Sequence, residues 1–549
     1  MINKPLWQPN DVQAATSNMA RFMREASHRW GIDIRDYDAL HRWSVDYREE
    51  FWTTVWDICG VRAATRGKVT LRNGDAMPGA EWFPEARLNF AENLLRAEGS
   101  EAAIIFWGED RVKRTLSHND LRNQVSQLQQ ALRAAGVGVG DRVAGFLPNL
   151  PETVIAMLAT TSLGAVWSSC SPDFGVQGVL DRFGQIGPKV LFVADGYFYG
   201  GKEFDCLDRV QAVTAQLPSV VRLVVVPYMR TAPPLDGLSN VVSWDDFLAS
   251  HEAREVEYTQ LPFNAPLYIM YSSGTTGAPK CIVHGAGGTI LQHLKEHQLH
   301  ADVRPGDRVF YFTTCGWMMW NWLVSALASK ATILLYDGLP AYPDGNILFD
   351  FVQSEGATHF GTSAKWIDSI SKAGLAPMNT HDLSELRVLL STGSPLSPQS
   401  FDYVYEKVKR DIHLASICGG TDIISCFMGG VPTLPVWRGE IQAPGLGMKV
   451  EVFDDTGQVA SVEPGELVCT AAFPSMPIYF WNDDSGEKYR AAYFNVYPNI
   501  WRHGDWVSFT KHGGLVVYGR SDATLNPGGV RIGTAEVYRQ VEQLEEVLE

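Results

Sequence analysis

From about residue 100 onward, short apolar runs alternate with amphipathic helical stretches. This alternation restricts the fold more than any other feature of the 549-residue chain. The runs are Val190–Ala194, Val220–Pro227, Leu267–Tyr271, Val309–Thr313, Ala331–Tyr336, Arg387–Leu390 and Ile412–Ile417. Segments that are apolar on both faces are strands of parallel sheets covered by helices. The fold class is therefore α/β, a large domain with doubly wound parallel sheets. Local signals agree. Ser117 and Asp120 have capping-box spacing, and Leu121, Val125, Leu128 and Leu132 then recur at helical spacing until Gly136. Arg142–Pro148 reads as a buried strand, and Pro151 opens a helix through Leu158. In such sheets ligands sit at the carboxyl ends of the strands.

The flanks differ. Residues 1–95 are rich in tryptophan (Trp30, Trp43, Trp52, Trp56 and Trp82) and read as a helical layer packed on the main body, residues 96–521. After about residue 440, Val450–Gly457 and Gly465–Cys469 read as antiparallel strands, so a β-rich, barrel-like or meandering subdomain is expected over 440–521. In the last segment, 522–549, Val537, Val541, Leu544 and Leu548 form one helical stripe. An apolar stripe calls for a cover, so the chain reads as the front part of a longer protein.

Composition removes several classes of function. Hydrophobic residues at 45 % and charged residues at 20 % are globular values. A balance of 46 basic against 62 acidic residues, net −16, argues against a broad basic face for nucleic acid. The eight cysteines include no CxxC pair, which disfavours a zinc ribbon or a thioredoxin site. Scattered thiols, no apolar signal core and no long apolar run point to a cytoplasmic protein without stable membrane association.

The strongest chemical signal is Tyr271-Ser-Ser-Gly-Thr-Thr-Gly-Ala-Pro-Lys280. A strand runs into a loop whose glycines, Gly274 and Gly277, let backbone curl around an anion. Ser272, Ser273, Thr275 and Thr276 can donate to phosphate oxygens, and Lys280 adds a point charge. The spacing is not that of a Walker-type loop.

This stretch resembles the phosphate-binding signature of the adenylate-forming superfamily of acyl-CoA synthetases, luciferases and peptide-synthetase adenylation domains. Further segments follow in the family's order. Thr392-Gly-Ser-Pro395 resembles the strand end beside adenine, which implies that Gly393, Ser394 and Pro395 border the nucleotide. Gly419-Gly-Thr-Asp422 resembles the segment in which Thr421 contacts the α-phosphate, beside Gly420, and Asp422 helps hold Mg²⁺. Aspartate stands where the family has glutamate, and Cys418 where it has an aromatic ring. By the same resemblance Asp505 binds the ribose hydroxyls, Arg520 contacts ribose, Asp522 is the interdomain hinge, Arg531 reaches phosphate and Gly529 backs the CoA tunnel. Lys202 is a candidate CoA contact.

Within the superfamily, Trp82-Phe-Pro and Leu88-Asn-Phe-Ala-Glu-Asn93 resemble the N-terminal portion of the acetyl-CoA synthetase-like branch, and Cys315-Gly-Trp-Met-Met-Trp-Asn-Trp322 and Thr433-Leu-Pro-Val-Trp-Arg-Gly-Glu440 resemble its acetoacetate-activating members. Trp317, Met318, Thr392 and Gly419 fall at acyl-pocket positions. Gly419 stands where acetyl-CoA synthetases carry a tryptophan, so the resemblance implies room for a longer acid. The implied cofactors and substrates are ATP, Mg²⁺, coenzyme A and acetoacetate, and Lys280, Thr421 and Arg531 are the implied catalytic residues. The family's C-terminal domain is expected to be largely absent, because no lysine follows Lys511 to serve in adenylation, and impaired adenylation is expected of the chain. Two other readings stay open: a ligase for another short acid such as butyrate, or a non-catalytic nucleotide-binding fragment. Oligomeric state is left open.

Overall fold

The computed structural model describes residues 4–272, 278–460 and 463–523. Two large sheets organise it. The first runs, in spatial order, Val241–Ser243, Arg222–Val226, Val190–Ala194, Arg142–Phe146, Val166–Cys170, Pro266–Ser272, Lys280–Gly285 and Tyr479–Phe480. Pairings are parallel as far as Pro266–Ser272 and antiparallel beyond it. The second runs His413–Ser416, Val388–Thr392, His359–Ser363, Arg308–Tyr311, Thr332–Asp337, Ala102–Gly108 and Val112–Ser117. Only its last pairing is antiparallel. The sheets are thus mixed, with parallel centres and antiparallel margins.

The expected helix starts are present. Ser117 and Asp120 form a reciprocal capping box on helix His118–Ala134, whose Leu121, Val125, Leu128 and Leu132 are buried. Gly136 follows with φ +80°, the left-handed conformation that ends a helix at little cost to glycine. Helix Pro151–Ser162 has proline in its first turn and every residue buried, and Ala286–Lys295 is also buried throughout. Helices apolar or buried all round belong to the interior. Both contribute to one core cluster, which also holds Met19, Phe22, Leu40, Phe51, Trp52 and Val55 from the first 95 residues. The N-terminal helices therefore close the same core rather than build their own. Trp30 is the exception among the five tryptophans: it is exposed, with its indole N–H on Thr54.

Strands Val450–Phe453, Gly465–Cys469, Trp501–Phe509 and Leu515–Arg520 form a third, antiparallel sheet in that order. The barrel-like expectation is corrected here. Among the described residues the outer two strands do not pair with each other, and four strands are too few to close around a packed interior. The sheet is an open meander that carries Asp505 and Arg520 on adjacent strands in direct register. All eight cysteines are free thiols.

Candidate active site

A cavity of about 910 Å³ lies at the strand ends of the second sheet and against the meander. Thr392 closes strand Val388–Thr392, and Gly393, Ser394 and Pro395 turn away from it along the cavity wall. Gly393 has φ +91°, so the turn needs a residue without Cβ. Gly419, Gly420 and Thr421 form the facing edge, and Asp505 and Arg520 reach in from the meander.

The Asp505 carboxylate is buried. It faces Arg520 Nη1 at 3.3 Å, and its other oxygen accepts from the Cys418 thiol at 3.3 Å. The thiol thus occupies the family's aromatic position as a hydrogen-bond donor, and burial beside Asp505 pushes its pKa well up. Arg520 also donates to the His503 carbonyl and lies 3.7 Å from Asp522. Three predicted residues, Asp505, Arg520 and Asp522, are therefore electrostatically connected.

Lys280 and Asp422 meet each other beside the cavity rather than lining it, with Nζ to Oδ1 at 3.0 Å. Tyr493 donates its hydroxyl to the same Asp422 oxygen and stacks on Trp501 at 3.8 Å. Burial works against the charged form of Asp422, but Lys280 and Tyr493 overcome it and hold the carboxyl below its ordinary range. Among the described residues no group of three or more His, Cys, Asp or Glu forms a ready metal site. One carboxylate nevertheless suits Mg²⁺ that arrives with a nucleotide and keeps phosphate and water oxygens.

Ser272 ends strand Pro266–Ser272 directly opposite Lys280. Ser273, Gly274, Thr275, Thr276 and Gly277 lie outside the described residues, as do Gly529, Arg531 and the Val537–Leu548 stripe. Lys202 is exposed on the hairpin Gly196–Tyr199/Lys202–Asp205 and does not line the cavity.

Trp317 and Met318 line the cavity at the start of helix Met318–Ser325, and Trp317 is 58 % exposed. Gly419 lines it too, but its physical role differs from the one the sequence suggests. A Cβ there would lie 2.2 Å from the Ser425 carbonyl oxygen and 2.5 Å from Cys426 Cα. A bulge between Cys418 and Gly419 presses this edge onto strand Ser425–Gly429. Glycine is thus required by backbone contact and does not simply leave an indole-sized gap. Gly419→Ala is expected to destabilise the protein by about 1–3 kcal/mol, because one strand must move off the other. A thermal melt unchanged from the parent would contradict this.

Sequence reasoning missed the far wall. Glu296 and His300 line the cavity from a π-helical turn, Glu296–His300, that continues the buried helix Ala286–Lys295. Such turns recur at functional sites. The segment reads Gln292-His-Leu-Lys-Glu-His-Gln-Leu-His300. So many polar groups suggest a solvated face, yet most are buried. The available signal was that polar run inside a stretch flanked by apolar helix. His284, also missed, bonds the Thr421 carbonyl at 2.8 Å and fixes that turn.

Comparisons with known proteins agree with this geometry. The model of the AMP-binding enzyme family matches residues 91–479, and that of the acetyl-coenzyme A synthetase N-terminus matches 37–94. An acetoacetyl-coenzyme A synthetase of Rhizobium meliloti (strain 1021) is 58 % identical, covering 100 % of this chain and 84 % of its own. An acetoacetyl-CoA synthetase of Danio rerio is 47 % identical over 100 % of this chain and 82 % of its own. The solved acetoacetyl-CoA synthetase of Streptomyces lividans superposes with a TM-score of 0.94 at 46 % identity, over 98 % of this chain and 83 % of that one. A phosphate-binding signature, a nucleotide-sized cavity at the strand ends and matches of this extent lead to one conclusion: the chain belongs to the adenylate-forming acyl-CoA synthetase family of AMP-binding enzymes.

Proposed function

We propose that the protein ligates acetoacetate to coenzyme A at the expense of ATP. The observation that carries this reading is the convergence of Thr392, Thr421, Asp505 and Arg520 on one cavity in a chain 58 % identical to an acetoacetyl-coenzyme A synthetase. The carboxylate oxygen of acetoacetate attacks the α-phosphorus, and pyrophosphate leaves. The CoA thiol then attacks the acyl carbon of the acetoacetyl-adenylate, and AMP leaves.

An anion attacking a triphosphate needs charge neutralisation and alignment more than a covalent protein nucleophile. Asp505 offers two oxygens to the ribose hydroxyls and Arg520 steadies the same end. Gly393, Ser394 and Pro395 flank the adenine. Thr421 donates to the α-phosphate, with Gly420 giving close backbone approach. Lys280 faces the phosphates together with the 272–277 loop and Arg531. Asp422 would hold the Mg²⁺ that arrives with ATP, which would lower the charge on the phosphates. Trp317, Met318, Thr392 and Gly419 bound the acyl group, Asp522 serves as hinge, and Gly529 and Lys202 serve CoA. Among the described residues no helix is long and apolar enough to cross a membrane. The free thiols fit work in the cytoplasm.

The test is calorimetric binding of non-hydrolysable acetoacetyl-, acetyl- and butyryl-adenylate analogues. The expected result is tightest binding of the acetoacetyl analogue. Equal affinity for the acetoacetyl and butyryl analogues would reduce the assignment to short-chain acids in general. No binding of any analogue would overturn adenylate chemistry for this chain.

A further inference from the structure

The acyl end of the cavity has a polar wall that the roles above leave unused. Glu296 is buried there with both carboxylate oxygens engaged. One accepts from the Trp322 indole N–H at 2.9 Å, and the other accepts from the Ser425 hydroxyl and, at 3.3 Å, from the Cys426 amide. The ammonium of Lys295, fully buried, stands 3.7 Å from that second oxygen and donates to the Leu446 carbonyl. Glu296, Trp322, Ser425 and Cys426 all line the cavity. Ser425 adjoins Gly419, whose missing Cβ lets the two strands touch. The polar wall therefore begins where the acyl pocket is expected to end.

An alkyl chain gains nothing from such a wall, since burying polar groups against it leaves them without new partners. A carbonyl oxygen does gain, because it can accept a hydrogen bond. Among the wall's other donors, the Trp322 N–H and the Cys426 thiol are engaged with Glu296, and His300 is committed to the Gly430 carbonyl at 2.9 Å and the Leu446 amide at 3.2 Å. The Ser425 hydroxyl differs. It can rotate away from Glu296 at small cost, because the same oxygen keeps the Cys426 amide and the Lys295 ammonium nearby.

We propose that Ser425, held ready by Glu296, is the specificity-determining donor to the 3-oxo oxygen of the acyl substrate. The inference rests on the ligase reading above and deepens it. A site that hydrogen-bonds a substrate oxygen discriminates against the analogue lacking it more strongly than shape alone does.

The experiment compares kcat/KM for acetoacetate and butyrate, and calorimetric affinity for the two adenylate analogues, in the parent and in Ser425→Ala. The expected result is a loss of about 10–100-fold for acetoacetate with butyrate changed less than about 3-fold. Equal losses for both acids, or none for either, would overturn the role of Ser425. Where Ser425→Ala does not fold, Ser425→Gly provides the same comparison under the same criteria. A parent protein that does not prefer acetoacetate would instead overturn the acetoacetate assignment on which the inference rests. The two failures are therefore distinguishable.

Discussion

Asp422→Ala is expected to lower kcat/KM for ATP by about 10²–10³-fold, the size of the loss when one preorganised electrostatic contact to the transition state is removed. The carboxylate is ionised, aimed at Lys280 across 3.0 Å and fixed by the Tyr493 hydroxyl. In the proposed reaction the triphosphate would draw the lysine and the carboxylate would be left to hold Mg²⁺, so both charges would serve the same step. The stability effect should be smaller. Lys280 is partly exposed, and water replaces much of what the ion pair supplies. Tyr493 is buried and loses its acceptor, a cost of about 1–3 kcal/mol. Asp422→Asn separates the two effects, because its amide oxygen still accepts from Tyr493 while the negative charge is gone. The asparagine variant is expected to melt close to the parent and to be nearly as inactive as the alanine variant. An active Asp422→Asn would show that the charge is not needed and that Asp422 serves the fold.

The same residues show what a sequence reveals and where it stops. The parallel sheets were legible because their strands are apolar on both faces, and the helix starts at Ser117 and Pro151 because capping is local chemistry. That Thr392–Pro395, Gly419–Thr421, Asp505 and Arg520 line one cavity was legible only through the resemblance of their segments to a family's ordered motifs. The pairing of Lys280 with Asp422 was not, since it joins positions 142 residues apart through the geometry of two sheets. Gly419 was legible as a glycine but not as a backbone contact, because the bulge that creates the contact depends on register with Ser425–Gly429. Glu296 and its neighbours were hidden for a different reason. Charge in a helix normally marks the solvent side, and here the polar groups satisfy one another in the interior. Lys202 stands apart from that group: it is exposed on a hairpin and does not line the cavity, so a CoA contact from it would be made at the surface.

That interior polarity is expected to make the protein sensitive to acid. Burial lowers the pKa of His284 to about 4, of His300 to about 3 and of His413 to about 4, from an ordinary value of 6.5. All three stay neutral in the folded state at pH values where the unfolded chain takes up protons. Stability therefore rises with pH across this range and is lost as pH falls from about 6.5 toward 4. Asp337 pulls the other way. Burial raises its pKa from 3.8 to about 7, so the folded state gains a proton as pH falls through 7. Three histidines outweigh one carboxyl. Between pH 7 and pH 5 the net loss from these four groups is about 3 kcal/mol, a substantial share of an ordinary stability of about 5–15 kcal/mol. Burial also lowers the pKa of His293, His297 and His359, which adds in the same direction. Chemical denaturation at the two pH values should show this loss. In His413→Gln, which removes one titrating ring beside Gln442, the difference between pH 7 and pH 5 should shrink by about 2 kcal/mol. A stability that is flat from pH 7 to pH 5 would mean that these histidines reach protons or water without unfolding, and that the wall around Glu296 is looser than its hydrogen bonds indicate.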